Sequence, residues 1–219
     1  MKKISVSIFL ILIMCKESNQ KENKLEANIS IQNKNKEIKN LENMQNNLPY
    51  TSEDTKKYYA LDSDSLSCLV TVPREKLVHF NSENILFPIK ENDFDIKPKI
   101  TDKYFVAETF NFSNGISCKV LLYNVFGEND SRILNIQLNS YKQNVLIDQL
   151  LIDCRFVFEN QYYRYFSINK DATIQLIKYS VKSLEFNENG DIIGEKNKPD
   201  IDKEKILYVI DKEGKFVKI

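Results

Sequence analysis

Residues 104–186 are a series of short apolar runs broken by turn-forming residues, and this pattern restricts the chain to an antiparallel β architecture. The runs cover 104–112, 116–126, 132–138, 145–152, 154–158, 162–168 and 173–186. Between them lie Asn114-Gly115, 127–130, 140–144, Asn160-Gln161 and 169–171, residues that favour turns or accept left-handed backbone. Strands joined by such short links pair with their neighbours, which makes a meander.

Alternation within the runs predicts which face is buried. In 116–126 the positions Ile116, Cys118, Val120, Leu122 and Phe126 oppose Ser117, Lys119 and Tyr123. In 132–138, Leu134, Ile136 and Leu138 oppose Asn135 and Gln137, an apolar-in, polar-out pattern. The run 145–152 is apolar on both sides, as expected of a central strand covered on both faces. Along 173–186 the apolar set changes phase, from Ile174 and Leu176 to Ile177, Tyr179 and Val181, then to Leu184 and Phe186. Bulges near 176–177 and 181–184 would return each set to one face. Asn189-Gly190 marks a hairpin with a short return at Ile192-Ile193, followed by a polar loop over 194–205 and a last hairpin of 206–210 with 215–219. Ahead of the meander, 67–72, 77–80 and 85–89 read as short strands, and a helical turn is expected around 54–61.

The N-terminal residues read as an address. Lys2-Lys3 precede an unbroken small and apolar run, 4–14, which is too short to span a bilayer and fits a secretory signal. The run closes on Leu12-Ile13-Met14-Cys15. These residues resemble the lipobox of bacterial lipoproteins, and the resemblance implies that residues 1–14 are removed and that Cys15 is lipidated. The implied place is the cell envelope, with the protein held on the membrane and facing the periplasm or the cell surface. Residues 211–219 also resemble the endings of uncharacterised Gram-negative lipoproteins built from β meanders. Residues 15–55 are expected to form a polar, disordered tether. From 16 to 47 the chain is rich in Asn, Lys, Glu and Gln, has no aromatic residue, and buries too little to offset its conformational entropy. As a random coil such a spacer reaches about 30 Å. Ile38, Leu41, Met44 and Leu48 recur at helical spacing, a short amphipathic turn that would form only by docking on the domain.

Most chemistries lack their residues. The 31 basic and 31 acidic side chains cancel, which gives no long-range field toward nucleic acid. His79 is the single histidine, on strand-like sequence, so a Ser-His-Asp or Cys-His system would depend on it alone. No phosphate-cradling or metal-ligating motif occurs, and no metal or cofactor is expected. The nearest metal loop, Glu185, Asn187, Asn189 and Gly190, has Lys196 where a bidentate Glu is required, and reads as a β turn. Cys68, Cys118 and Cys154 lie in phase with apolar faces, so buried free thiols are expected over one disulfide among them.

One cluster stands out. Tyr162, Tyr163, Arg164 and Tyr165, with Arg155, put aromatics beside cations, a combination that stacks sugars or bases and anchors protein interfaces. Aromatics are also good strand formers, so the cluster equally suits an ordinary sheet with Phe166 and Ile168 facing the core.

The expected fold is therefore all-β (β-dominated), a twisted meander over 56–219 closing toward a barrel or small sandwich. The expected function is a lipid-anchored, non-enzymatic binding module for a protein or cell-envelope ligand, attached to the bilayer through Cys15. Two alternatives follow from the same sequence. One is an inhibitor or immunity protein against a secreted toxin or hydrolase, and the other is a carboxylate-based hydrolase with two acids flanking a cleft.

Overall fold

The computed structural model describes residues 47–62, 67–112, 115–127 and 131–219. The proposed signal, Cys15 and the possible amphipathic turn at residues 38–44 lie outside them.

Alternation and turn chemistry produce the meander. Its strands are β6 (Lys103–Asn111), β7 (Ile116–Phe126), β8 (Arg132–Lys142), β9 (Val145–Val157), β10 (Gln161–Ile168), β11 (Thr173–Phe186), β12 (Ile192–Ile210) and β13 (Phe216–Lys218). Each pairs antiparallel with the next. The sheet is open, with β13 at one end and β4 (Val78–His79) at the other, so the strands do not close into a barrel. Side chains of β6–β9 and of β10–β13 nonetheless share one core, including Phe110, Leu122, Ile136, Ile152, Phe166, Leu176, Ile206 and Phe216.

The chain enters the sheet earlier than its composition marks. The compact unit begins at Asn47. Leu48 and Tyr50 are core residues, and β1 (Tyr50–Thr51) pairs with β10. Behind it α1 (Ser52–Thr55) starts on a capping box, in which the Asp54 carboxylate accepts from Thr51 N–H at 2.8 Å. Residues 48–55, polar enough to read as the end of the tether, are thus ordered by burying two apolar side chains. A separate two-stranded flap follows, β2 (Tyr59–Leu61) with β3 (Cys68–Val70).

Polarity misleads in two more places. Asn135 and Gln137, expected at the surface, are fully buried, and so is Asn139. A second core covers their side of the sheet: Phe80, Ile85, Ile89 and Ile96 pack on Leu121, Tyr123, Ile133, Leu151 and Cys154. The covering segment carries α2 (Ser82–Leu86), which takes up the first residues of the strand expected at 85–89, and β5 (Ile89–Lys90), which pairs parallel with β9. Asn81 caps α2 by accepting from Asn84 N–H. Under this cover Tyr123 Oη donates to Gln137 at 2.6 Å and Gln137 donates to Asn139 at 2.6 Å, whereas both amide atoms of Asn135 are buried without a hydrogen-bond partner.

The second place is 194–205, expected as a loop and found as strand. β12 runs for 19 residues alongside β11, which pairs with it over 200–209 and again at Ile192, Gly194 and Glu195, with 196–199 set out at the register shift. The register slips between Lys182 and Leu184 and again between Glu185 and Phe186, so the predicted bulge near 181–184 is present. No slip occurs at 176–177. There the second apolar set, Ile177, Tyr179 and Val181, stays half-exposed on the opposite face.

The last hairpin is tied down. Phe216 is buried, and its N–H donates to Asp148 at 2.9 Å while Lys90 Nζ donates to its carbonyl at 2.6 Å. Ser140 Oγ donates to the Gly214 carbonyl. Gly214 turns with φ +88°, a backbone that only glycine adopts without strain.

Candidate functional site

The run from Tyr162 to Tyr165 does not form one surface. Successive side chains on a strand point to opposite faces, and the structure divides the cluster accordingly. Tyr162 turns toward the body of the domain, where its ring stacks on Phe156 at 4.9 Å and meets Phe94 edge-on at 4.8 Å. Arg164 points the same way and is buried. Tyr163 and Tyr165 point outward, with their rings 5.7 Å apart.

Both arginines are engaged within the protein. β9 and β10 pair only at Val157 with Gln161 and Phe156 with Tyr162, then separate. Side chains fill the seam that this opens. Asp153, fully buried, accepts from Arg164 N–H at 2.8 Å and from Arg155 Nε at 2.6 Å. Ser52 Oγ accepts from Phe166 N–H at 2.7 Å. Arg155 Nη2 donates to the Arg164 carbonyl at 3.2 Å. Backbone groups left by the missing ladder thus find partners. Burial raises the Asp153 carboxyl above its ordinary value, against the pull of Arg155 and Arg164.

The Arg164 guanidinium reaches the Leu151 carbonyl at 2.7 Å, the Glu91 carbonyl at 2.8 Å and the Asp93 carboxylate at 3.0 Å. Lys178 bridges Glu91 at 2.6 Å and Asp93 at 2.7 Å, and Tyr208 donates to Glu91. Burial pushes the Glu91 carboxyl up, but bonds from Lys178 and Tyr208 outweigh it and hold the group below its usual range. A cleft of 250 Å³ lies here, lined by Asp93, Phe94, Lys178, Asp202 and Glu204 among others.

The outward side is differently built. Arg155 lies 5.9 Å from the Tyr163 ring, 5.7 Å from Tyr165 and 5.6 Å from Tyr59 of the flap. Tyr163 and Tyr179, paired across β10 and β11, stack at 5.0 Å with an interplanar angle of 11°. Lys203, paired with Tyr179 across β11 and β12, sits 5.6 Å over its ring. In strand order this makes a ladder of cation, ring, ring and cation. The ring faces within it are taken, leaving edges and hydroxyls for a partner. Tyr179 and Lys203 complete the site and were missed because they lie far along the chain from Tyr163; only the register joins them.

Other candidates resolve more simply. His79 is exposed on the edge strand β4. Asn187 Oδ1 accepts from the N–H groups of Asn189 and Asp191, both at 2.9 Å, so the acidic stretch before Gly190 is a self-bonded turn. Cys68, Cys118 and Cys154 are buried free thiols. Burial pushes Cys118 and Cys154 up to about 12, which keeps them protonated and unreactive.

No known protein family, curated protein or solved structure matches the chain. The fold therefore defines the class, an open antiparallel β-meander domain whose last strands carry a tyrosine and cation ladder. Among the described residues no helix is long and apolar enough to cross a membrane.

Proposed function

We propose that this chain is a lipid-anchored binding module of the cell envelope, held to the bilayer through Cys15. It engages another protein or an envelope component through the outward face of β10–β12. One observation carries the binding half of this reading. Apart from the β2–β3 flap, whose Tyr59 and Leu61 line a pocket with Gln161 and Tyr163 at one border, no described segment lies over the odd-numbered side chains of β10–β12, although they include three tyrosines, Tyr163, Tyr165 and Tyr179. Exposed aromatics set in a rigid sheet anchor interfaces at low entropic cost.

The carboxylates favour binding over hydrolysis. In the 250 Å³ cleft, Asp93 is matched by Arg164 and Lys178, and Asp202 by Lys182 at 2.6 Å. Asp153, the carboxyl whose protonation is favoured by burial, lies out of a substrate's reach. A general acid needs both a raised pKa and contact with substrate.

The anchor rests on the sequence from Lys2 to Cys15. Several acyl chains on one terminus hold a protein firmly, where a single chain does not. Cys15→Ser is expected to leave the fold intact and to move the protein out of the membrane fraction or stall its processing. Unchanged fractionation, with no lipid on Cys15 by intact mass, would remove the anchor. For the face, a photo-cross-linking side chain at position 165 of the full-length protein in its own envelope should give one discrete adduct. The same side chain at the exposed Leu86 should give none, and equal labelling at the two positions would refute the reading.

A further inference from the structure

The outward face of β10–β12 has a charge pattern that sequence order hides. Its positions are Gln161, Tyr163, Tyr165 and Ser167 on β10, then Thr173, Gln175, Ile177, Tyr179 and Val181 on β11. On β12 they are Ile201, Lys203, Lys205, Leu207 and Val209. None is a carboxylate. Lys203 and Lys205 are its exposed cations, and the bordering Arg155 is already paired with Asp153. Within the same stretch of β12, Asp200, Asp202 and Glu204 alternate with these positions and lie on the other face, opposite Lys182, Ser180 and Lys178. The chain has equal numbers of acids and bases, yet over 161–167, 173–181 and 201–209 this side holds no acid; Glu185, beyond the register shift on β11, is the first.

We infer that this face docks an acidic protein surface, one that sets Asp and Glu side chains around a small apolar centre. The inference rests on the binding reading above and specifies the partner's chemistry. Three features decide it. Lys203 and Lys205 are exposed, and all charged groups on the face are hydrogen-bond donors, so the complementary surface supplies carboxylate acceptors. The Tyr163 and Tyr179 rings are enclosed between Arg155 and Lys203, so they offer edges and hydroxyls, not the open faces on which a sugar or base would stack. The aliphatic groups Ile177, Val181, Leu207 and Val209 are half-buried in the sheet, and Ile201 alone among the aliphatics stands well clear at 60% exposure. A bilayer-inserting face needs protruding Trp, Phe or Leu, and this one is flat.

The test uses the full-length protein in detergent, with poly-L-glutamate as the acidic polypeptide. Saturable binding is expected, weakened at least tenfold by K203E/K205E and severalfold by Y165A, and falling steeply with added salt. Near-UV circular dichroism of the variants should match wild type apart from the lost tyrosine signal, which separates loss of the face from loss of the fold. Binding unaffected by K203E/K205E, or no binding at all, overturns the inference. So does preferential binding to phosphatidylglycerol vesicles, by a Cys15→Ser variant, that K203E/K205E abolishes, because the occupant is then a bilayer. If poly-L-glutamate fails while the cross-linker at position 165 still gives its discrete adduct, the acidic partner falls and the binding module stands. If both fail, the binding reading falls with it.

Discussion

β7–β9 and β10–β12 belong to one meander, yet the first set is buried on both faces and the second on one. The difference lies outside the strands. Residues 80–102 cross one face of β7–β9 and bury even its amides, Asn135, Gln137 and Asn139. No described segment crosses the outward face of β10–β12, and the tyrosines there remain accessible. Packing thus commits one half of the sheet to stability and leaves the other half a free surface.

The contrast is tested first at the seam between the two halves. Asp153→Ala removes the acceptor for both Arg155 Nε and Arg164 N–H and leaves the half-buried Arg155 guanidinium without its counter-charge. The expected loss is about 3–5 kcal/mol, measured by urea unfolding. A loss below about 1 kcal/mol would mean that the seam does not hold the halves together.

Next come two isoleucines on opposite sides of the contrast. Ile136→Ala, in the doubly covered half, is expected to cost about 2–5 kcal/mol. Ile177→Ala, on the outward face, should cost about 1 kcal/mol, mainly through lost strand propensity. Equal costs in urea unfolding would show that the outward face is covered in solution.

Acid sharpens the comparison further. The Glu91 carboxyl is depressed in the folded state, so its unfolded form binds protons more readily. Its contribution is fully present above the ordinary value of 4.5 and is lost as pH falls through the lower folded value. Asp153 has the opposite sign: its folded carboxyl is raised above 3.8, so its contribution diminishes as pH rises through that window. Glu91→Gln should therefore flatten the acid limb of a thermal-unfolding profile, and an unchanged limb would exclude Glu91 as its source.

The smallest expected effect is on stability at the face itself. Tyr165→Ala should change the unfolding free energy measured in urea by no more than about 0.5 kcal/mol, as exposed positions do. A larger loss would place Tyr165 in the packing and remove it from the free surface.

Much of this fold is legible in the chain. The bounds of β7 and β11 follow from alternation and turn residues, because a strand's two-residue period and its breakers are local properties. The bulge near 181–184 is local too, since a phase change must be absorbed somewhere in the strand. Buried thiols at 68, 118 and 154 follow from the same phase argument. What tertiary structure alone decides is which faces find cover and which distant strands supply partners. The polar 194–205 stretch is strand because β11 lies beside it, and Asn135 is buried because Phe80 and its neighbours cross over it. Tyr162 and Tyr163 part company across the sheet, while Tyr163 gains Tyr179 and Lys203 through register. Arg155 and Arg164, read from sequence as surface cations, become seam residues because β9 and β10 separate and Asp153 fills the gap. Local propensity fixes the bounds of strands such as β7 and β11; long-range pairing and the path of a covering segment determine the extent of β12 and which side chains stay exposed.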